Sequence, residues 1–104
     1  MKAELAKKFY AVLDAFDFDK VHMAMEAMGW TWGMEEEHRV PKISEMRDMC
    51  SELFGYALDV YSQKKKAVSS SSGGFKVSIS KKGSVKVSFI LAETRYDSEI
   101  SEVY

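Results

Sequence analysis

The chain has 104 residues, 46% of them hydrophobic and 30% charged, with one cysteine and a net charge of −1. This composition suits one folded domain with its own core, argues against disorder of the whole chain and rules out an intrachain disulfide. No apolar run approaches bilayer-spanning length, about 18–20 residues. The opening Met1-Lys2-Ala3-Glu4-Leu5 is charged and lacks the apolar core of a signal peptide, so a cytoplasmic, non-membrane protein is expected.

The near-zero net charge conceals segregation. From Lys64 to Ala92 there are seven lysines (64, 65, 66, 76, 81, 82 and 86) and no acid, so the remainder holds all 16 acids. A basic segment in an acidic chain attracts phosphates, or the acidic part of another copy. The plainest reading is a solvated set of lysines.

Taken in order, residues 3–16 read as a helix, with Leu5, Phe9, Val12 and Phe16 spaced four, three, four and Leu13 widening the stripe. Lys7, Lys8 and Asp14 lie off that stripe. Asp17 or Asp19 is placed to cap a second helix from Phe18 or Asp19 to Met28, with Val21, Met25 and Met28 on one face and Gly29 as its stop. Met23 does not fit that face. Trp30-Thr31-Trp32 follows as a short strand or extended connector with both indoles on one side. Residues 35–39 read as a charged loop. Val40-Pro41 opens the longest helix, with Lys42 a poor cap. Ile43, Met46, Cys50, Leu53, Ala57 and Val60 form its stripe, broadened by Met49, Phe54, Leu58 and Tyr61, and it ends near Gln63.

Residues 67–74, rich in Ser and Gly, read as a flexible loop. Phe75, Val77 and Ile79, then Val85, Val87, Phe89 and Leu91, alternate with lysine and serine. That is an antiparallel β-hairpin with one apolar and one cationic face. The acidic tail 93–104 carries Tyr96, Ile100 and Val103 at helical spacing, which predicts a short terminal helix. A hairpin alone is not stable, so its apolar face must lie on the helices. The expected fold is α+β: three helices packed on an antiparallel β-hairpin, extended by an edge strand or by a second copy.

Several motifs recur together elsewhere: Asp17-Phe18 with Lys20, Val21 and His22; Met28 with Trp30 and Trp32; Val40-Pro41; and Gly73-Gly74-Phe75. Their order resembles a group of small bacteriophage-encoded accessory proteins, mostly of unassigned function. The resemblance spans about three quarters of the chain and departs at Lys42, where the group usually has Thr. It implies a non-enzymatic phage accessory protein in the host cytoplasm, with evasion of host defence, through a nucleotide signal or a defence protein, as an analogy of size and origin.

The chemistry-bearing residues support a binding role. Ser72, Gly73, Gly74 and Lys76 could cradle a phosphate through backbone N–H groups, hydroxyls and an ammonium; the spacing excludes a P-loop. Trp30 and Trp32 supply either a stacking platform or core anchors, and stacking and burial are worth about the same, about 1–3 kcal/mol. Arg95 offers a second anion contact. The ligand-binding set is therefore Trp30, Trp32, Ser72, Gly73, Gly74, Lys76 and Arg95, for a phosphorylated small molecule such as a nucleotide. The alternative is an interaction module that inhibits or redirects a host protein; nucleic-acid binding through the hairpin lysines runs against the overall acidity. Homo-oligomerisation is expected in each case. No cofactor is implied. His22, Glu26 and His38 make a weak metal set, no catalytic set stands out, and Cys50 on its apolar stripe reads as a buried thiol.

Overall fold

A computed structural model describes residues 2–31 and 40–100. The expectations for Trp32, for the 35–39 loop and for Val103 lie outside the described residues. The protein is α+β. Helices α1 (Lys2–Ala15), α2 (Phe18–Met28) and α3 (Ile43–Lys64) precede strands β1 (Val68–Ser72), β2 (Phe75–Ile79), β3 (Val85–Leu91) and β4 (Thr94–Ile100). The strands form one antiparallel sheet in sequence order, each joined to the next by a short turn.

The helix signals act as physical chemistry requires. The Asp17 carboxylate accepts the Lys20 backbone N–H at 3.0 Å, capping α2, and Gly29 ends it in the left-handed region at φ +65°. Lys42 gives α3 no side-chain cap; instead the Glu45 carboxylate reaches back to the Lys42 N–H at 2.8 Å. Val60, expected inside, is 39% exposed, and Met28 is 59% exposed. A stripe drawn at three- and four-residue steps drifts around the helix, so its outermost member falls off the buried sector.

Two stretches depart from expectation. Residues 68–72, expected within a Ser/Gly loop, form β1. Gly73 (φ +60°) and Gly74 (φ +89°) make a two-residue hairpin turn between β1 and β2. That turn folds the serines back along β2, and ladder pairing overrides their weak strand preference. The tail, expected as a helix, is β4 from Thr94. A spacing of four is also twice a strand's period of two, so Tyr96 and Ile100 share a strand face as readily as a helix face. They pair with Phe89 and Val85 of β3.

α3 lies beneath β1 and β2, and α1 beneath β3 and β4. Phe75, Val77, Ile79, Val85, Val87 and Phe89 are fully buried toward the helices. They join Leu5, Phe9, Val12, Val21, Met25, Met46, Cys50 and Leu53 in one core. The Phe9 and Phe54 rings stack at 4.2 Å across α1 and α3. The β2–β3 turn is tied down from both helices: Lys8 Nζ donates to the Gly83 carbonyl at 2.8 Å, and the Tyr61 hydroxyl donates to the Lys81 carbonyl at 3.1 Å. Lys8, expected off the buried stripe, is therefore buried, its stem in the core and its head on a carbonyl.

Candidate functional site

Strand alternation puts one set of side chains on the helices and the other on the open face. The pairing register lays out that open face in rows. Ser69, Ser78, Lys86 and Glu99 form one row across the four strands, and Ser71, Lys76, Ser88 and Asp97 form the next. Ile90 and Arg95 follow on β3 and β4. The first row floors a shallow depression of about 300 Å³, lined also by Ala67, Val68, Lys76, Ile79, Ser80 and Ser84. Serine hydroxyls and two ammonium groups therefore surround one open hollow, with Glu99 at its β4 side.

The electrostatics of this face grade from one edge to the other. β1 is uncharged and β2 and β3 carry Lys76 and Lys86, whereas β4 brings Asp97 and Glu99. Arg95 is already engaged: its Nε donates to Asp97 Oδ1 at 3.0 Å. No such partner is seen for Lys76 or Lys86 among the described residues. Ser80 and Ser84 share a 2.8 Å hydroxyl contact, and the Ser84 N–H donates to Ser80 Oγ at 2.9 Å, which holds the rim in shape.

The residues anticipated as a ligand set divide between the two faces. Trp30 is half-buried on the helix side, edge-on to Phe89 at 5.6 Å and 86°. Trp32 lies outside the described residues. Ser72 is exposed at the end of β1, and Gly73 and Gly74 turn the chain into β2. Gly74 meets the same ring as Trp30, for a Cβ built on it would come within 2.5 Å of Phe89 Cε1. The indole and the glycine turn thus converge, but on a buried phenyl ring. Lys76 and Arg95 stand on the opposite face. Two strands and two residues separate them, about 12 Å between Cα atoms from standard sheet spacings. The sequence reading left out Ser69, Ser78, Ser80 and Ser84 as ligands and considered Lys86 only among the hairpin lysines of the nucleic-acid alternative. Continuing the period-two pattern backward through Val68 and Ser70 would have placed Ser69 beside Ser78.

His22 and Cys50 are otherwise engaged. His22 Nδ1 donates to the Pro41 carbonyl at 3.1 Å, and Nε2 faces Glu26 Oε1 at 2.9 Å. No group of three metal-binding side chains occurs among the described residues. Burial pushes the Cys50 thiol up to about 12, with Arg47 pulling slightly the other way, so the sulfur stays protonated and sealed. A second hollow, about 450 Å³ at the α1–α2 junction, is lined by Asp14, Asp17 and Asp19, with Arg47 near Asp14 at 3.5 Å. Its acidic lining repels anions.

No protein-family model, curated protein or solved structure is significantly similar to this chain.

Proposed function

We propose that the chain is a non-enzymatic phage accessory protein of the host cytoplasm that binds a phosphorylated small molecule, such as a nucleotide signal, and so blunts a host defence. The three helices back the β2–β3 hairpin, and its cationic face takes the ligand. One observation carries the reading: Lys76 and Lys86, neither engaged by a described acid, flank a hollow lined by Ser69, Ser78, Ser80 and Ser84. Ammonium groups supply charge, hydroxyls supply directional donors, and a phosphate's oxygens accept from both. Lys76 belongs to the anticipated ligand set and to this hollow alike.

Titration of 15N-labelled protein with inorganic phosphate and then with nucleotides tests it. Amides of Ser69, Ser78 and Lys86 are expected to shift together and saturably, and Lys76→Glu with Lys86→Glu abolishes the effect. Saturable shifts confined to α2 and the Trp30 indole, or none with any phosphate ligand, would sink it. A second reading, docking onto a host protein, has its own support in Met23 and Met28, which stand 69% and 59% exposed on α2. Met23→Glu with Met28→Glu then eliminates host-protein capture and leaves the phosphate titration unchanged.

A further inference from the structure

The two edges of the sheet differ. β4 carries Arg95, Asp97 and Glu99, the kind of charge that discourages strand addition. β1 reads Val-Ser-Ser-Ser-Ser, with no charge and no proline, and among the described residues it pairs only with β2. Its outer positions Ser69, Ser71 and Ser72 are exposed. The two-residue turn determines which backbone groups are used. Ser72 and Phe75 flank the turn and exchange hydrogen bonds, and the alternation of antiparallel pairs gives the same role to Ser70 and Val77 and to Val68 and Ile79. The N–H and C=O of Ser69 and Ser71 therefore point outward, away from β2.

The helix below this edge is also unfinished. Each residue turns a helix by about 100°, so Phe54 and Tyr56 lie on opposite flanks of the buried face of α3. Phe54 takes the flank that stacks on Phe9 of α1. Tyr56 and Val60 take the other, which lies on the β1 side because α3 sits under β1 and β2 while α1 sits under β3 and β4. Tyr56 is 68% exposed and Val60 39%. An open strand edge and an apolar helix flank thus face the same way.

We infer that this edge takes a second copy of the same chain, with β1 running antiparallel to the partner's β1 about a two-fold axis at Ser70. In that register Ser69 faces the partner's Ser71, and Ser71 the partner's Ser69. Both outward-pointing residues of each chain then gain partners for N–H and C=O, and the two open faces merge into one wider sheet. The same axis sets the two α3 helices side by side and antiparallel, closing Tyr56 and Val60 from water. It also brings the exposed Lys64, Lys65 and Lys66 of one copy toward the exposed Glu52 of the other, which lies one turn before Tyr56 on the same flank. A host peptide would satisfy the edge but has no reason to match this flank in both apolarity and charge order.

Light scattering coupled to size exclusion tests the pairing on the full chain, whose monomer is 11.8 kDa. The wild-type mass is expected at twice that value. Ser71→Pro removes one outward N–H and leaves the β1–β2 ladder donors intact; Val60→Lys charges the helix flank and leaves the strand alone. Each is expected to halve the mass while circular dichroism stays native. If Ser71→Pro misfolds, Val60→Lys with Tyr56→Lys, which sets like charges against each other across the two-fold, gives the reading. A wild-type chain that remains monomeric at its highest soluble concentration overturns the inference. So does a dimer that survives the flank variants, or one lost on Val60→Lys yet kept by a folded Ser71→Pro, which would place the contact on the helices alone.

Discussion

Gly74→Ala is the most informative single change, because its cost separates into two parts that another glycine can calibrate. Gly74 sits at φ +89°, and an added Cβ would lie 2.5 Å from Phe89 Cε1, 3.1 Å from Cδ1 and 3.2 Å from Cζ. Phe89 cannot swing away. It is fully buried, with the Phe75 ring 4.5 Å from its centroid and Trp30 edge-on at 5.6 Å. The left-handed backbone alone costs a non-glycine residue about 1–2 kcal/mol. Forcing a methyl against a packed ring adds about 1–3 kcal/mol. The sum is about 2–5 kcal/mol, a large part of the roughly 5–15 kcal/mol that holds a small domain together. Gly29 is the calibrant: it has φ +65° and nothing within 4 Å of a built Cβ, so Gly29→Ala carries the backbone part alone. Urea denaturation of both variants, followed by circular dichroism, measures the difference directly. The expected result is a Gly74→Ala loss exceeding the Gly29→Ala loss by at least about 1 kcal/mol. Equal losses would refute the placement of Phe89 under the turn, and with it the convergence of Trp30 and the glycine pair on one ring.

Three further outcomes are expected. Lys8→Met leaves the buried Gly83 carbonyl without its donor and costs about 1–3 kcal/mol, while Tyr61→Phe removes the bond to the Lys81 carbonyl and costs about 1 kcal/mol. Because both tie down the same turn, a double-mutant cycle in urea should show coupling rather than simple addition. Asp17→Ala deletes the α2 cap and costs about 1 kcal/mol, read as a lower thermal midpoint, whereas Asp17→Ser recovers most of it. Cys50 gives a pH test. Burial raises its thiol from 9.0 to about 12, so the folded state favours the protonated form. That contribution is fully present below pH 9 and is lost as pH rises toward 12. The stability difference between wild type and Cys50→Ala should therefore shrink over this range, and a native thiol that reacts readily with a disulfide reagent at pH 8 would contradict its burial.

Local periodicity reached most of the framework. Leu5, Phe9, Val12, Val21, Met25, Met46, Cys50 and Leu53 were readable as core because an amphipathic helix must bury its apolar stripe. The β2–β3 pair was readable because the apolar residues from Phe75 to Ile79 and from Val85 to Phe89 alternate with Lys and Ser. Alternation also separated Lys76 from Phe75 and Val77 across the sheet. Lys8 was not readable, since its burial depends on Gly83, 75 residues away.

The sequence by itself determined the three helices, their stops at Gly29 and near Gln63, and the cationic outer side of the central strands. These follow from spacing, capping and turn chemistry within a few residues. Tertiary structure alone decided that four serines form an edge strand, that the acidic tail forms the other edge, and that Ser69, Ser78 and Lys86 share a row. Those facts depend on pairing between distant segments, where a serine or a spacing of four fits either state until a neighbouring strand supplies the hydrogen bonds.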